Sequence, residues 1–310
     1  MSFMDYYKGI IEGSEIQKQI PEYIYKFCSL SDDKKLNATK LSTLRNENLW
    51  FAAYSEMNDP FEFKGMFMEK STWEDYSLRS EWTKEEILNS WERVSEAWKQ
   101  TLDYYYVASL TALNETNLPM WAHYANNHNG YCVKYKVKNK ERIYPIFYET
   151  NRIDCTVHFG LWALLFTDFV LNNKLPKDAK DFMYTNSKLL YSKYIVKDWS
   201  WAYEQEIRVL KQAPWLKNSY DIDYIMSNIP KSSREKYMKD KYIHAPEPKP
   251  IGFCENINEY GLVTSEIFAG CNCSRENKTF LRDIARELNV PFKVCVVGKQ
   301  HILSTEMIGE

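Results

Sequence analysis

Apolar positions recur along the chain with two spacings, at every second residue or at every third and fourth residue. The first spacing predicts strands with one buried face, and the second predicts amphipathic helices. Strands are predicted in the segments EYIYKFCSL, NLWFAAYSE, YYYVASLTAL, GYCVKYKV, RIYPIFYE, WSWAYEQEIRVLK, EIFAG and PFKVCVVG.

The longest helical pattern runs from about Trp73 to Leu102 and predicts two helices rather than one. Thr83 and Glu86 form a capping box inside it, where the second helix is expected to begin. Pro119 and the Asn/Gly-rich stop at Gly130 bound a shorter helix. The other predicted helices lie in KLNATKLSTLRNENL, Leu161 to Asn172, Ala179 to Ile195 and SRENKTFLRDIAREL.

This mixture of elements predicts an α+β fold in a single mixed domain spanning 1–310. Its centre is expected to be a mainly antiparallel split sheet with helical insertions. The core motifs lie at about 21–211, a helical insertion at about 220–243, and a C-terminal strand–helix–strand at 263–298. The Pro-rich segment HAPEPKPIGF is predicted to be a loop rather than a domain boundary.

Composition, charge and motifs argue against several classes of protein, although a local basic patch stays possible. The 310 residues carry a formal net charge of −2. The chain therefore lacks the overall positive charge that is typical of nucleic-acid-binding proteins. The N-terminus lacks the pattern of a signal peptide, and the apolar stretch FGLWALLFTDFVL is too short to span a bilayer. A cytoplasmic protein without a membrane partner is therefore expected. The seven cysteines are scattered without metal-ligand spacing, so no metal is predicted.

The segment WSWAYEQEIRVL carries the most informative charges. In a strand Glu204, Glu206 and Arg208 share one face. One interpretation is a solvated face on which the arginine pairs with a glutamate. The other is a pocket in which two carboxylates stabilise positive charge and orient a sugar hydroxyl.

Two further motifs allow a structural and a functional interpretation. Asn58 and Asp59 precede a proline in NDPFE, which is typical of a turn and leaves Phe61 and Glu62 incidental. His123 lies among aromatic residues in WAHYANNHNG, where a lone histidine is more often structural than catalytic.

Taken together, the motifs resemble a bacterial family known only as domain of unknown function two-nine-seven-one. The resemblance covers about Tyr23 to Leu210, and its four motifs occur in order. Asn129 and Ile207 depart from the usual residues, and neither lies on the charged face. The matching positions are Tyr25, Lys26, Asn58, Asp59, Pro60, Phe61, Glu62, Trp121, His123, Tyr124, Gly130, Tyr203, Glu204, Glu206 and Arg208.

The order of elements is also similar to the ADP-ribosyltransferase arrangement, in which an early strand, a Ser-x-Thr-like strand and a late Glu-x-Glu strand form the NAD site. Ser109 and Thr111 echo the middle element. The resemblance implies NAD as substrate, Glu206, Glu204 and His123 as catalytic residues, and a toxin or phage-defence role. It also implies a nucleic-acid or protein acceptor and an antitoxin or other regulatory partner. The implied cofactor-binding residues are Tyr25, Lys26, Asn58, Asp59, Phe61, Ser109, Trp121, Tyr124, Tyr203 and Arg208.

Two hypotheses of different class therefore stay open, an NAD-consuming enzyme and a non-enzymatic module that recognises a ligand or partner. A metal-dependent nuclease is a third, since Asp59, Glu62 and Lys64 are close in sequence. Hydride transfer with NAD and nucleotide hydrolysis are disfavoured, because the chain has neither a Rossmann glycine fingerprint nor a P-loop.

Overall fold

The structure is a computed structural model that describes residues 16–59, 61–78, 81–172, 192–214, 229–236, 248–298 and 303–307. Pro60 and most of the helix predicted for Ala179 to Ile195 lie outside these residues. The insertion predicted at 220–243 is described only at 229–236, where 231–236 are helical.

Most of the described strands join one large sheet. Every pairing within it is antiparallel except that between Leu262–Ala269 and Phe292–Val297, which confirms an α+β fold with a mainly antiparallel sheet. Its strands are β1 (Tyr23–Cys28), β2 (Asn48–Ala52), β4 (Tyr105–Thr111), β5 (Tyr131–Val137), β6 (Ile143–Pro145), β10 (Glu206–Gln212), β11 (Gly252–Asn256), β12 (Leu262–Ala269), β13 (Phe292–Val297) and β14 (Leu303–Met307).

Two small parallel pairs flank this sheet, namely β3 (Met66–Phe67) with β8 (Ile153–Asp154), and β7 (Phe147–Glu149) with β9 (Val196–Asp198). The helices with assigned bounds are α1 (Lys34–Arg45), α2 (Lys70–Ser77), α3 (Lys84–Gln100), α4 (Leu118–Tyr124), α5 (Thr156–Asn172) and α6 (Arg275–Glu287). None of the helices in the described ranges has the length and apolar character needed to cross a bilayer.

Helix starts follow the local capping signals in the sequence. The Thr83 side chain accepts from the Glu86 backbone N–H, and the Glu86 carboxylate accepts from the Thr83 N–H, so the predicted capping box opens α3. The Asn117 side chain caps α4, with Pro119 in its first turn. The break between α2 and α3 therefore lies where the sequence predicts it.

Alternation along β5 places apolar side chains on both faces of the sheet. Tyr131, Val133 and Tyr135 pack into the main core, which α1 and α6 also line. Cys132 points to the opposite face and packs beneath α4 beside Trp121. The sheet is thus covered on both faces, by α1 and α6 on one side and by α4 on the other.

The strand β4 is the junction that brings the site together. It pairs with β10 along its whole length, with β1 at its C-terminal end and with β2 nearer its start. Thr111 is opposite both Tyr25 and Glu206. Early, middle and late segments of the chain therefore meet at one end of β4.

The Pro-rich segment HAPEPKPIGF is a loop over residues 248–251, as predicted, and 244–247 lie outside the described residues. Its last residues enter β11, which pairs with β2 at the edge of the sheet. The Phe253 ring packs against Phe51 and Tyr106, and the Tyr106 hydroxyl donates to the Pro250 carbonyl at 2.9 Å. Partial burial of Phe253 thus favours a strand directly after the prolines, which an edge strand tolerates.

Candidate functional site: a buried ion-pair cluster beside a small cavity

A cavity of about 170 Å³ lies at the junction of β1, β4, β10 and α4. Its lining combines apolar and aromatic side chains with charged ones. The residues that line it are Tyr25, Lys26, Phe27, Met57, Asn58, Asp59, Glu62, Ser109, Leu110, Thr111, Met120, Tyr124, Lys197, Trp201, Glu204 and Glu206.

The NDPFE motif forms a turn that directs one glutamate inward. The Asp59 carboxylate accepts from the Phe61 backbone N–H at 2.9 Å, and the Asp59 carbonyl accepts from the Glu62 N–H at 3.0 Å. This turn buries Glu62 and leaves Phe61 72% exposed. The aromatic residue of the motif is therefore a surface residue, whereas its glutamate belongs to the cavity.

Glu204 and Glu206 lie on different elements, contrary to the single strand that alternation predicts. A 3-10 helix spans Trp199–Glu204, and Gln205 ends it with φ 42° in the left-handed region. The Thr111 hydroxyl donates to the Glu204 carbonyl at 2.6 Å, which fixes the end of this helix to β4. The strand β10 begins only at Glu206. The left-handed residue turns both carboxylates toward the same cavity.

The charged face is buried rather than solvated, although the expected pairing of Arg208 with a glutamate is present. Glu204, Glu206 and Arg208 are exposed to only 3%, 5% and 1%. The Arg208 guanidinium is bidentate toward the Glu206 carboxylate, with Nε–Oε1 at 2.7 Å and Nη2–Oε2 at 3.1 Å. It also donates to the Glu62 carboxylate and to the Tyr194 carbonyl. Such a bidentate pair has the geometry of a strong charge-assisted hydrogen bond.

Lys197 is the second cation of the cluster, and it reaches three carboxylates. Its Nζ lies 2.9 Å from Glu204 Oε2, 3.0 Å from Glu206 Oε2 and 3.6 Å from Glu62 Oε2. The same ammonium lies 4.7 Å from the centroid of the Trp201 ring. One side chain therefore connects the NDPFE turn, the 3-10 helix and β10.

The cluster shifts the pKa of each cation and of one carboxyl. Burial by itself raises the pKa of Glu206, but the charges of Arg208 and Lys197 outweigh it and hold that pKa at about 2. Burial lowers the pKa of Lys197, whereas the charges of Glu206 and Glu62 raise it above its usual value. The same two carboxylates outweigh burial at Arg208 and raise its pKa. These three groups are charged at neutral pH.

Two tyrosines add further polar contacts, beside the hydrogen bond between the Ser109 side chain and Glu206. The Tyr124 hydroxyl donates to the Glu204 carboxylate, and burial together with this bond raises the pKa of Tyr124. The phenol therefore keeps its proton and acts as a donor. The Glu206 backbone N–H donates to the Tyr148 hydroxyl oxygen at 2.7 Å, which anchors the start of β10.

The cavity collects eight of the residues for which the sequence implies a site role. They come from β1, the NDPFE turn, β4, α4 and the segment 204–206. They are Tyr25, Lys26, Asn58, Asp59, Ser109, Tyr124, Glu204 and Glu206. The Lys26 ammonium donates a hydrogen bond of 2.9 Å to the Ser109 carbonyl, which holds it at the cavity.

The other implied site residues lie outside the lining. Arg208 is buried behind Glu206. Trp121 is fully buried and donates from Nε1 to the Glu115 carbonyl at 2.7 Å. His123 and Tyr203 are exposed, with their ring centroids 6.2 Å apart.

Lys197 has no role in the sequence analysis, and Glu62 has one only as part of the NDPFE motif and in the nuclease hypothesis, although both line the cavity. Glu62 is at least part of a recognisable motif. Lys197 has no such signal, because its partners are defined only once the chain has folded. Among the described residues, no group of three or more His, Cys, Asp or Glu side chains is arranged to hold a metal ion.

A family model described as a protein of unknown function (DUF2971) matches residues 120–209. This range runs from α4 into β10 and holds the third and fourth motifs of the resemblance. The match supports similarity to that family, whose description states no activity. No curated protein and no solved structure matches the chain.

Proposed function

We propose that this protein is an NAD-consuming enzyme of the ADP-ribosyltransferase type, which breaks the bond between nicotinamide and ribose. The observation that carries the proposal is the pair of carboxylates of Glu204 and Glu206, held on one ammonium at the wall of an aromatic-lined cavity. The strands β1, β4 and β10 contribute to this cavity in the order that the resemblance implies.

The chemistry explains why fixed carboxylates suit this reaction. Cleavage of the nicotinamide–ribose bond produces an oxocarbenium-like sugar, as glycoside hydrolysis does. Negative groups that are held in place before the reaction stabilise such charge without reorganising. Arg208, Lys197 and Tyr124 supply that rigidity here.

The size of the cavity limits which part of NAD it takes. Pockets for drug-sized ligands measure about 300–1,000 Å³, so about 170 Å³ accommodates one end of the dinucleotide. In this proposal the nicotinamide ring enters beside Tyr25 and Trp201. The rest of the molecule extends out of the cavity toward solvent.

A second candidate is a non-enzymatic recognition module, which the extent of ion pairing favours. Glu206 is contacted by both cations of the cluster, and ion-pair networks perturb pKa values in structural sites as well. In that case the cluster stabilises the fold, and the cavity binds a ligand or a partner without chemistry.

Nicotinamide release from labelled NAD separates the two candidates. Glu206→Gln keeps the shape of the side chain and removes its charge, so release should fall about 100-fold, the scale for losing one stabilising group. Glu266→Gln is the matched control, because Glu266 also lies between two lysines, Lys134 at 2.9 Å and Lys293 at 2.7 Å. It is on β12, with β4, β1 and β5 between it and β10.

The control variant should release nicotinamide at the wild-type rate. Wild-type protein that releases none, with or without cell lysate, would reject the enzyme in favour of the module. Adding lysate with NAD labelled in its adenylate part tests transfer to an acceptor, which in this proposal is a nucleic acid or a protein.

A further inference from the structure

The buried charges beside the cavity do not balance. Three carboxylates meet two cations, and all five side chains are at most 8% exposed. Asp59 and Lys26 also line the cavity and cancel one another. The described side chains therefore leave one net negative charge. The five buried groups are Glu62, Glu204, Glu206, Lys197 and Arg208.

The excess negative charge is concentrated on Glu204, which has the fewest cationic partners. Glu62 and Glu206 each contact both Arg208 and Lys197. The charged partner of Glu204 is Lys197, which it shares with those two carboxylates, and its other side-chain contact is the neutral Tyr124 hydroxyl. An uncompensated buried charge is costly, so a cation that enters beside Glu204 gains more than a neutral group of the same shape.

The aromatic side chains of the lining also favour a cation over a neutral group. The face of Trp201 already carries the Lys197 ammonium at 4.7 Å from its centroid. Cations are attracted to tryptophan faces more strongly than to other rings. Tyr25 and Tyr124 add further aromatic surface to the lining. A planar, positively charged ring therefore matches both the charge and the walls of the cavity.

We propose that the group of the ligand that enters this cavity is a planar organic cation, and that Glu204 selects its charge. This inference rests on the proposed function, since the nicotinamide ring of NAD carries a positive charge. It makes a separate claim about affinity, which is measured without any turnover.

Two probes of equal shape test the claim. 1-Methylnicotinamide carries a pyridinium charge, and 3-methylbenzamide is the same molecule with a neutral carbon in place of the ring nitrogen. Calorimetric titration of the full chain should show the cation binding at least about tenfold more tightly, or about 1.4 kcal/mol. Equal affinities, tighter binding of the neutral probe or no binding of either probe would overturn the inference.

Variants test whether Glu204 is the residue that selects the positive charge of the ligand. Glu204→Gln should reduce the tenfold preference to near unity, whereas Glu266→Gln should keep it. If Glu204→Gln does not fold, the two-probe comparison on wild type still decides. Charge-selective binding without nicotinamide release would keep this inference and reject the proposed enzyme. Release with equal probe affinities would keep the enzyme and reject the inference.

Discussion

Substitution of Arg208 by methionine should destabilise the protein far more than substitution of an exposed arginine with the same kind of partner. Arg208 is 1% exposed, and its loss leaves Glu62 and Glu206 with Lys197 as their shared cation. Breaking a buried pair by removing one partner costs about 3–5 kcal/mol, because a charge stays buried without compensation.

Arg45 provides the matched control. Its Nε lies 2.8 Å from the Glu287 carboxylate, close to the 2.7 Å between Arg208 Nε and Glu206, but its side chain is 45% exposed. Exposed pairs contribute about 0–1 kcal/mol. The two arginines therefore differ in burial rather than in the length of the contact.

These energies convert to measurable melting temperatures. Unfolding entropy is about 2.1 cal/mol/K per residue, so for 310 residues a loss of 1 kcal/mol lowers Tm by about 1.5 °C. Arg208→Met should lower Tm by about 5–8 °C, and Arg45→Met by less than about 1.5 °C. Scanning calorimetry at pH 7 measures both.

A third variant separates lost charge compensation from lost packing. Arg208→Met with Glu206→Gln removes the cation and one carboxylate together, so it should be more stable than Arg208→Met alone. An Arg208→Met loss no larger than that of Arg45→Met would refute the argument from burial. A double variant less stable than Arg208→Met would show that packing, rather than charge, dominates.

Two further predictions concern pH and a neighbouring histidine. Because the folded pKa of Glu206 is lowered from 4.5 to about 2, its stabilising contribution is present above pH 4.5 and is lost as pH falls toward 2. Wild-type Tm should therefore fall more steeply over that range than the Tm of Glu206→Gln, and parallel curves would contradict the shift. His123→Ala should leave nicotinamide release within about twofold of wild type, because the exposed ring lies outside the cavity lining. A loss of about 100-fold, the scale predicted for Glu206→Gln, would instead place His123 in the reaction.

Much of the fold is predictable because its signals are local. Alternation identifies β1, β4 and β5, and capping identifies the start of α3 at Thr83. The charged face of β10 is also visible, since alternation groups Glu206 with Arg208. Local patterns suffice where each element buries its own apolar face.

The remaining features depend on contacts between distant segments. Glu62 and Arg208 are 146 residues apart, so no spacing rule connects them. The left-handed conformation of Gln205 is not predictable from the sequence either, because glycine is the residue usually found in that conformation. Lys197 becomes informative only after three carboxylates have been brought around it.

The ion pairs also divide the cluster into a structural half and a half available to a ligand. Arg208 lies behind the cavity and binds Glu206 through two nitrogens, so substitutions there act mainly on stability. Glu204 lines the cavity, shares one ammonium and accepts from one neutral phenol, so its charge remains available to whatever enters. Glu206 belongs to both halves. A change at Glu204 should therefore alter ligand affinity with little change in Tm, whereas a change at Arg208 should alter both.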